Sequence, residues 1–180
     1  MDPQPRRRPS ARLVLAVVAG VAVALVLALT TRFFVWPDTD RPARADAIVL
    51  FAGGGDRKAT ALRLARAGYA PVLVVSTGVP LRYHCIAPVP GVETICFHPD
   101  PSTTQGEARY LAQIAEERHW HRIIVIVSTP QATRARLRVE RCYHDQYLVV
   151  TAHVTPWRWA LDVVYEWGAL GKALLLQRGC

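Results

Sequence analysis

Residues 45–78, ADAIVLFAGGGDRKATALRLARAGYAPVLVVSTG, constrain the fold of this chain more than any other stretch. Ala47 to Ala52 and Val72 to Val75 are continuous apolar runs of strand length. Between them the spacing turns helical: Ala61, Leu62, Ala65 and Tyr69 recur on one face, and Arg63 and Arg66 point outward. Strands apolar on both sides belong inside a covered sheet, and a crossover helix joining two of them makes the pair parallel and right-handed. The unit predicts an α/β domain, a Rossmann-like parallel sheet with helices on both faces.

The chemistry of this unit sits at its strand ends. Gly53-Gly54-Gly55 permits positive φ and leaves amide N–H groups bare ahead of a helix N-terminus, which suits an anion. Ser76-Thr77-Gly78 ends the second strand in the same way, and both turns open at the carboxyl edge of the sheet, where open α/β folds hold ligands. The run through Asp56 is neither the dinucleotide fingerprint nor a Walker loop, because Lys58 has no Ser or Thr directly behind it. A tight turn without a ligand is the plain alternative.

Leu13 to Leu29 lacks any polar side chain and, extended to Thr31, is long enough to cross a bilayer. Arg6, Arg7, Arg8 and Arg12 precede it and Arg32 alone follows closely, which predicts a cytoplasmic N-terminus and an extracytoplasmic domain at the plasma (inner) membrane. The expected division is a basic N-terminus over 1–12, a single-pass anchor over 13–31, a polar linker over 32–44 and the α/β domain over 45–180. Phe33, Phe34 and Trp36 fit an interfacial aromatic belt. A cleaved signal peptide is the competing reading, weakened by the length of the run and the lack of an A-x-A site. Of the formal charge of +8, the residues after the anchor keep +4, so much of the basic character is orientation signal and no nucleic-acid partner is expected.

Cys85, Cys96, Cys142 and Cys180 all fall in the part expected outside, where thiols oxidise. No C-x-x-C occurs, so no metal site is expected. Pro88, Pro90 and Gly91 let the chain fold back between Cys85 and Cys96, the favoured pair; Cys142 with Cys180 follows by elimination, with a free or chain-linking Cys180 as the alternative.

Further along, Val92 to Phe97 reads as an extended segment in an irregular stretch whose Tyr83, His84 and His98 are candidate rim residues. A helix over TTQGEARYLAQIAEER follows, with Ala108, Leu111, Ala112 and Ala115 inward and Glu116 and Glu117 outward. Thr103 or Thr104 serves as N-cap, and Thr104 with Glu107 reads as a capping box. His121 to Val127 is a third buried strand ending at Ser128. The next helix, about 131–142, buries Ala132, Ala135, Val139 and Cys142 and presents Arg136, Arg138 and Arg141 to water. Tyr147 to Val150 is a strand, and a last helix, about 156–176, buries Ala160, Val163, Val164, Trp167 and Leu170 with Glu166 beside that stripe.

Taken in order, DAIVLFAGGGDRKATALRLARAG, VVSTG, TTQGEA, VSTPQATRAR and YEWGALGKALL resemble the YdcF-like family, which includes the SanA and ElyC envelope proteins; the resemblance runs from Ala45 to Leu176. Arg57 matches the family's arginine after the glycine-rich turn, and Ser128, Arg134 and Ala135 match its S-x-x-H-x-x-R-A pattern. Gln131 stands where relatives usually have histidine, which removes the obvious general base, and Gly106-Glu107-Ala108 replaces the common E-N-A. The resemblance implies a Rossmann-like sheet with a pocket at the strand ends, membrane attachment in many members, and a link to envelope integrity or lipid-linked glycan precursors. One soluble branch of the family binds S-adenosylmethionine.

The leading expectation is an envelope protein whose pocket, formed by Gly53, Gly54, Gly55, Arg57, Ser76, Thr77, Gly78, Thr104, Gln131 and Arg134, holds an anionic small molecule or a lipid-linked phosphate. Glu107, Glu166 and Ser128 are the catalytic candidates, either carboxylate serving as a base or holding an arginine. The alternatives are a non-catalytic envelope scaffold and, last, a nucleotide or S-adenosylmethionine binder, for which Ser76 to Val79 offers no ribose-binding acid. No cofactor is assigned.

Overall fold

The computed structural model describes residues 10–78 and 85–180. Arg6, Arg7, Arg8, Tyr83 and His84 lie outside the described residues. Five strands, β1 (Ala47–Leu50), β2 (Val72–Ser76), β3 (Glu93–Phe97), β4 (Arg122–Ser128) and β5 (Gln146–Ala152), form one sheet in the order β3-β2-β1-β4-β5, every pair parallel. The expected α/β architecture is therefore present, and the extended segment after Val92 is its edge strand β3.

Side chains of the central strands alternate between two fully apolar layers, as the two-residue period of a strand requires. Val49, Phe51, Val74, Val125 and Val127 face α3 (Thr104–Arg118) and α4 (Ala132–Cys142). Ile48, Leu50, Leu73, Ile124 and Ile126 face α2 (Arg57–Arg66), through Ala61, Leu64 and Ala65. Helix α2 ends earlier than its apolar spacing suggested. Tyr69 lies past the helix, in the turn closed by its amide to the Leu64 carbonyl, and Leu64 occupies the inner face.

Helix α1 (Ala11–Thr30) runs on into a π-helical turn, Thr31–Val35, and together they are long and apolar enough to cross a membrane. Phe34 does not join an aromatic belt. It is fully buried, edge-on to Trp167 at 5.3 Å, and packs with Val163 and Leu170 of α5 (Pro156–Leu175). The segment read as a polar linker lies against the domain: the Asp40 amide donates to the Val149 carbonyl, its carboxylate accepts from the Val149 amide, and Arg136 pairs with it at 2.6 Å.

The arginine face of α4 departs from expectation. Arg138 is buried and donates to the Gln177 carbonyl and side chain, and Arg141 donates to the Ala173 and Gln177 carbonyls. Guanidinium groups read as solvated in the sequence are spent on the orphan carbonyls at the end of α5. In α5 itself Ala160 and Val164 are exposed, and the buried stripe is Val163, Glu166, Leu170 and Ala173. Cys85 is bonded to Cys96 and Cys142 to Cys180, across 11 and 38 residues. Loop-closure entropy makes these worth about 3 and about 4 kcal/mol.

Candidate functional site

The chain runs β1, β2, β3 to one side and then returns for β4 and β5 on the other, so the connections that leave the carboxyl ends of the paired strands β1 and β4 diverge. This topological switch point is where open α/β sheets form a crevice. A cleft of about 390 Å³ opens there. Its floor is Ala52, Gly53 and Gly54 after β1 and Ser128 at the end of β4; the first turn of α3 supplies Thr104 and Glu107, and the start of α4 supplies Gln131 and Arg134.

Five side chains that line the cleft, Arg57, Gln131, Thr104, Arg134 and Glu166, are joined in one hydrogen-bonded chain. Arg57 donates from Nε to the Gly54 carbonyl at 2.8 Å, and from Nη1 to the Ala52 carbonyl and Gln131 Oε1, both at 2.7 Å. Gln131 Nε2 donates to Thr104 Oγ1 at 3.3 Å. Arg134 Nη1 donates to the same oxygen at 2.5 Å, while its Nε and Nη2 form a two-pronged pair with Glu166, both at 2.6 Å. The glutamine thus accepts from one arginine and, through its amide, sets the threonine beside the other.

Several donors of the cleft are not used within this network. Thr104 Oγ1 already accepts twice, so its own O–H is left to donate. Among the described residues no hydrogen bond uses Arg57 Nη2, Ser128 Oγ or the amides of Gly53 and Gly54. All four residues line the cleft. Gly53 has φ +138°, and a Cβ there would lie 1.7 Å from Arg57 Nη2; a Cβ on Gly54 would meet the Arg158 guanidinium at 2.5 Å. The glycines are bare because two guanidinium groups lie over them.

Glu107 has a different role from the capping box read in the sequence. Thr103 is the cap, accepting from the Gly106 amide, and the Glu107 carboxylate turns away to accept from the Ala52 amide at 2.5 Å. It is almost completely buried. Burial pushes its pKa up, against the opposing pull of the Ala52 amide, Ser76 and the arginines. Gly106 lets loop residue Pro101 press on α3, since a Cβ would lie 2.0 Å from the Pro101 carbonyl oxygen. Burial lowers the Arg57 pKa to about 10, with Glu107 and two other carboxylates opposing.

Three expected ligand contacts lie elsewhere. Gly55, at φ +82°, packs its α-carbon against the His153 carbonyl, where a Cβ would come within 2.7 Å. Ser76 is buried beneath the floor, its hydroxyl turned to the Glu107 carboxylate rather than to the cleft. Thr77 knits β2 to β3 through the Phe97 carbonyl, and His98 pairs with the Thr77 carbonyl outside the cleft. Gly78 does line it.

Of the α5 wall the sequence pointed to Glu166 alone. Arg158, Asp162 and Tyr165 line the cleft together with Glu166. Their spacing of four, three and one is a polar stripe on an otherwise apolar helix, and that periodicity was the available signal.

These features define a class: an all-parallel α/β protein with a polar cleft at the switch point of its sheet, preceded by a helix able to span a membrane. No protein-family model matches the chain, and no curated protein matches it.

Proposed function

We propose that this chain is a membrane-anchored, extracytoplasmic YdcF-like protein of the cell envelope whose cleft binds a phosphate-bearing ligand, the phosphate or pyrophosphate head of a lipid-linked cell-wall precursor. The observation that carries the reading is the gathering of unused donors on one cleft: the Gly53 and Gly54 amides, Arg57 Nη2, the Thr104 hydroxyl and Ser128 Oγ all belong to residues that line it. Three carboxylates, Glu107, Asp162 and Glu166, face three guanidinium groups there, so affinity for an anion comes from oriented donors rather than from net charge. The apolar α1 supports delivery of a lipid-borne substrate, because a tether holds the cleft near the bilayer.

A second reading, binding without turnover, is favoured by Gln131. Its amide is held at both ends and cannot take a proton, and Glu166 is committed to Arg134. That leaves Glu107 and Ser128 as the groups on which catalysis would rest.

The test is retention of radiolabelled polyprenyl pyrophosphate by the purified full chain, with inorganic pyrophosphate as competitor. Arg57→Ala is expected to lower retention about tenfold or more, the worth of a charge-assisted contact. Arg134→Ala is expected to lower it too, by leaving the Glu166 charge uncompensated beside the anion. Unchanged retention in both variants would remove the anion cleft. Turnover that disappears in Glu107→Gln would select an enzyme over a binder.

A further inference from the structure

Helix α5 has two apolar faces, and only one is covered. Val163, Leu170 and Ala173 are buried with Glu166 on the inner side. On the opposite side Trp157, Leu161, Val164, Gly168, Gly171 and Leu175 follow one another at intervals of four and three, a single straight stripe. Trp157 is 70% exposed, Leu161 63%, Val164 74% and Leu175 69%. Among the described residues nothing packs on them, and a continuous apolar stripe of this kind marks an interaction surface.

The way α5 meets α1 says what covers it. Val163 and Leu170 pack on Phe34, in the π-helical turn at the foot of α1. The next residue around the helix is Trp167, which also touches Phe34 but donates its Nε1–H to Thr30 Oγ1 at 3.0 Å, one turn closer to the apolar span. At about 100° per residue, the side chains that continue in the same direction are Gly171, then Val164, then Trp157 and Leu175. Successive faces of α5 therefore meet successively more membrane-proximal levels of α1, and the stripe is the face turned toward the bilayer that α1 enters.

The borders of the stripe agree. Trp157 is an amphipathic ring of the kind that settles at headgroup level. Arg158 and Lys172 flank the stripe and Arg178 follows the helix, cations that suit anionic headgroups. Beyond Leu161 the helix turns through Tyr165 and Arg158 into the wall of the cleft.

We propose that the exposed face of α5 lies in the boundary between headgroups and acyl chains of the same bilayer that α1 crosses, so that the cleft opens at the headgroup layer. The proposal rests on α1 being retained as a span and goes beyond the assignment of a ligand to the cleft. A second copy of the chain is the competing occupant of the stripe.

The experiment uses the full chain in vesicles of phosphatidylethanolamine and phosphatidylglycerol containing nitroxide-quencher lipids. One fluorophore is attached through Leu161→Cys, Val164→Cys, Val21→Cys in α1, or Glu117→Cys on the exposed side of α3. The Leu161 and Val164 labels should be quenched at a depth of about 5–10 Å, as for an interfacial helix. The Val21 label should be quenched more deeply and the Glu117 label should not respond. Quenching at Val21 with Leu161 and Val164 behaving like Glu117 would overturn the docking and leave the anchor standing. No quenching at Val21 would overturn the anchor and the docking with it. Leu161 labels shielded from lipid quencher, with disulfide-linked dimers of Leu161→Cys, would assign the stripe to a second copy and equally overturn the proposal. Pyrophosphate retention in the same samples reports separately on the cleft.

Discussion

The two walls of the cleft each bury an arginine and treat it differently. On the β1–α2 side Arg57 is met by neutral acceptors, the Ala52 and Gly54 carbonyls and the Gln131 amide oxygen, and burial lowers its pKa to about 10. On the α4–α5 side burial also works against Arg134, but the Glu166 carboxylate outweighs it and the pKa is raised. Arg134 is a closed ion pair that fixes Thr104 and α5. Arg57 is a held cation whose charge no partner directly cancels, and an anion in the cleft would supply what its surroundings lack. One wall is closed on itself, and the other leaves a cation open to the proposed ligand.

The largest effect should come from breaking the closed pair. Glu166→Ala leaves Arg134 buried without a counter-charge, a loss of about 3–5 kcal/mol in denaturant unfolding of the full chain. The double variant Arg134→Met/Glu166→Leu removes both charges and should recover most of that stability, together with most of the pyrophosphate retention that Arg134→Ala loses. Arg57→Met should reverse the order: a smaller stability loss, about 1–2 kcal/mol for its lost hydrogen bonds, with retention abolished. Equal losses of retention in Arg57→Met and the double variant would erase the distinction between the walls.

Much of the sheet was legible because its central strands are buried on both faces and must be apolar without interruption, as Ile123 to Val127 are. The carboxyl-edge location followed from the glycines after β1. What the sequence hid was the fate of its arginines. Arg138 reads as a solvated helix face, yet it is buried against the tail, because only the tertiary fold brings the Gln177 carbonyl within reach. Glu107 has the spacing of a capping box, but the Ala52 amide competes for it from 55 residues away, a partner that no local pattern reveals. Likewise α5 is apolar nearly all round, so periodicity assigned Val164 to the core when Phe34 and α4 cover the other face.

Glu107 sharpens the comparison from the side of pH. Its pKa in the folded protein is raised above the ordinary carboxyl value of 4.5, with burial as the leading cause. The stability it contributes is therefore fully present below about pH 4.5 and lost as pH rises through the folded value. Glu107→Gln keeps an acceptor for the Ala52 amide and removes the titration. The variant should be at least as stable as the native chain at neutral pH, and its advantage should shrink as pH falls toward 4.5. Thermal unfolding of both proteins across that range checks the sign; a difference independent of pH would show that the carboxyl titrates alike in the folded and unfolded states.

Arg158 should give the smallest effect, and it separates ligand contact from architecture most cleanly. Its guanidinium lies over Gly54 at the mouth of the cleft, the side chain is 47% exposed, and its nearest carboxylate, Asp162, is 4.0 Å away. An ion pair so open contributes little to stability, so Arg158→Ala should leave unfolding within about 0.5 kcal/mol of the native chain. If the cation meets a phosphate at the rim, retention of pyrophosphate should still fall, by about threefold at low salt and by less as added salt screens the contact. Arg57, enclosed behind the glycine turn, should show a loss that salt hardly changes, because buried charges are screened much less. A salt-independent loss at both positions would mean that the two arginines sit in one enclosed site, and the division of the cleft into a screened floor and an open rim would fail.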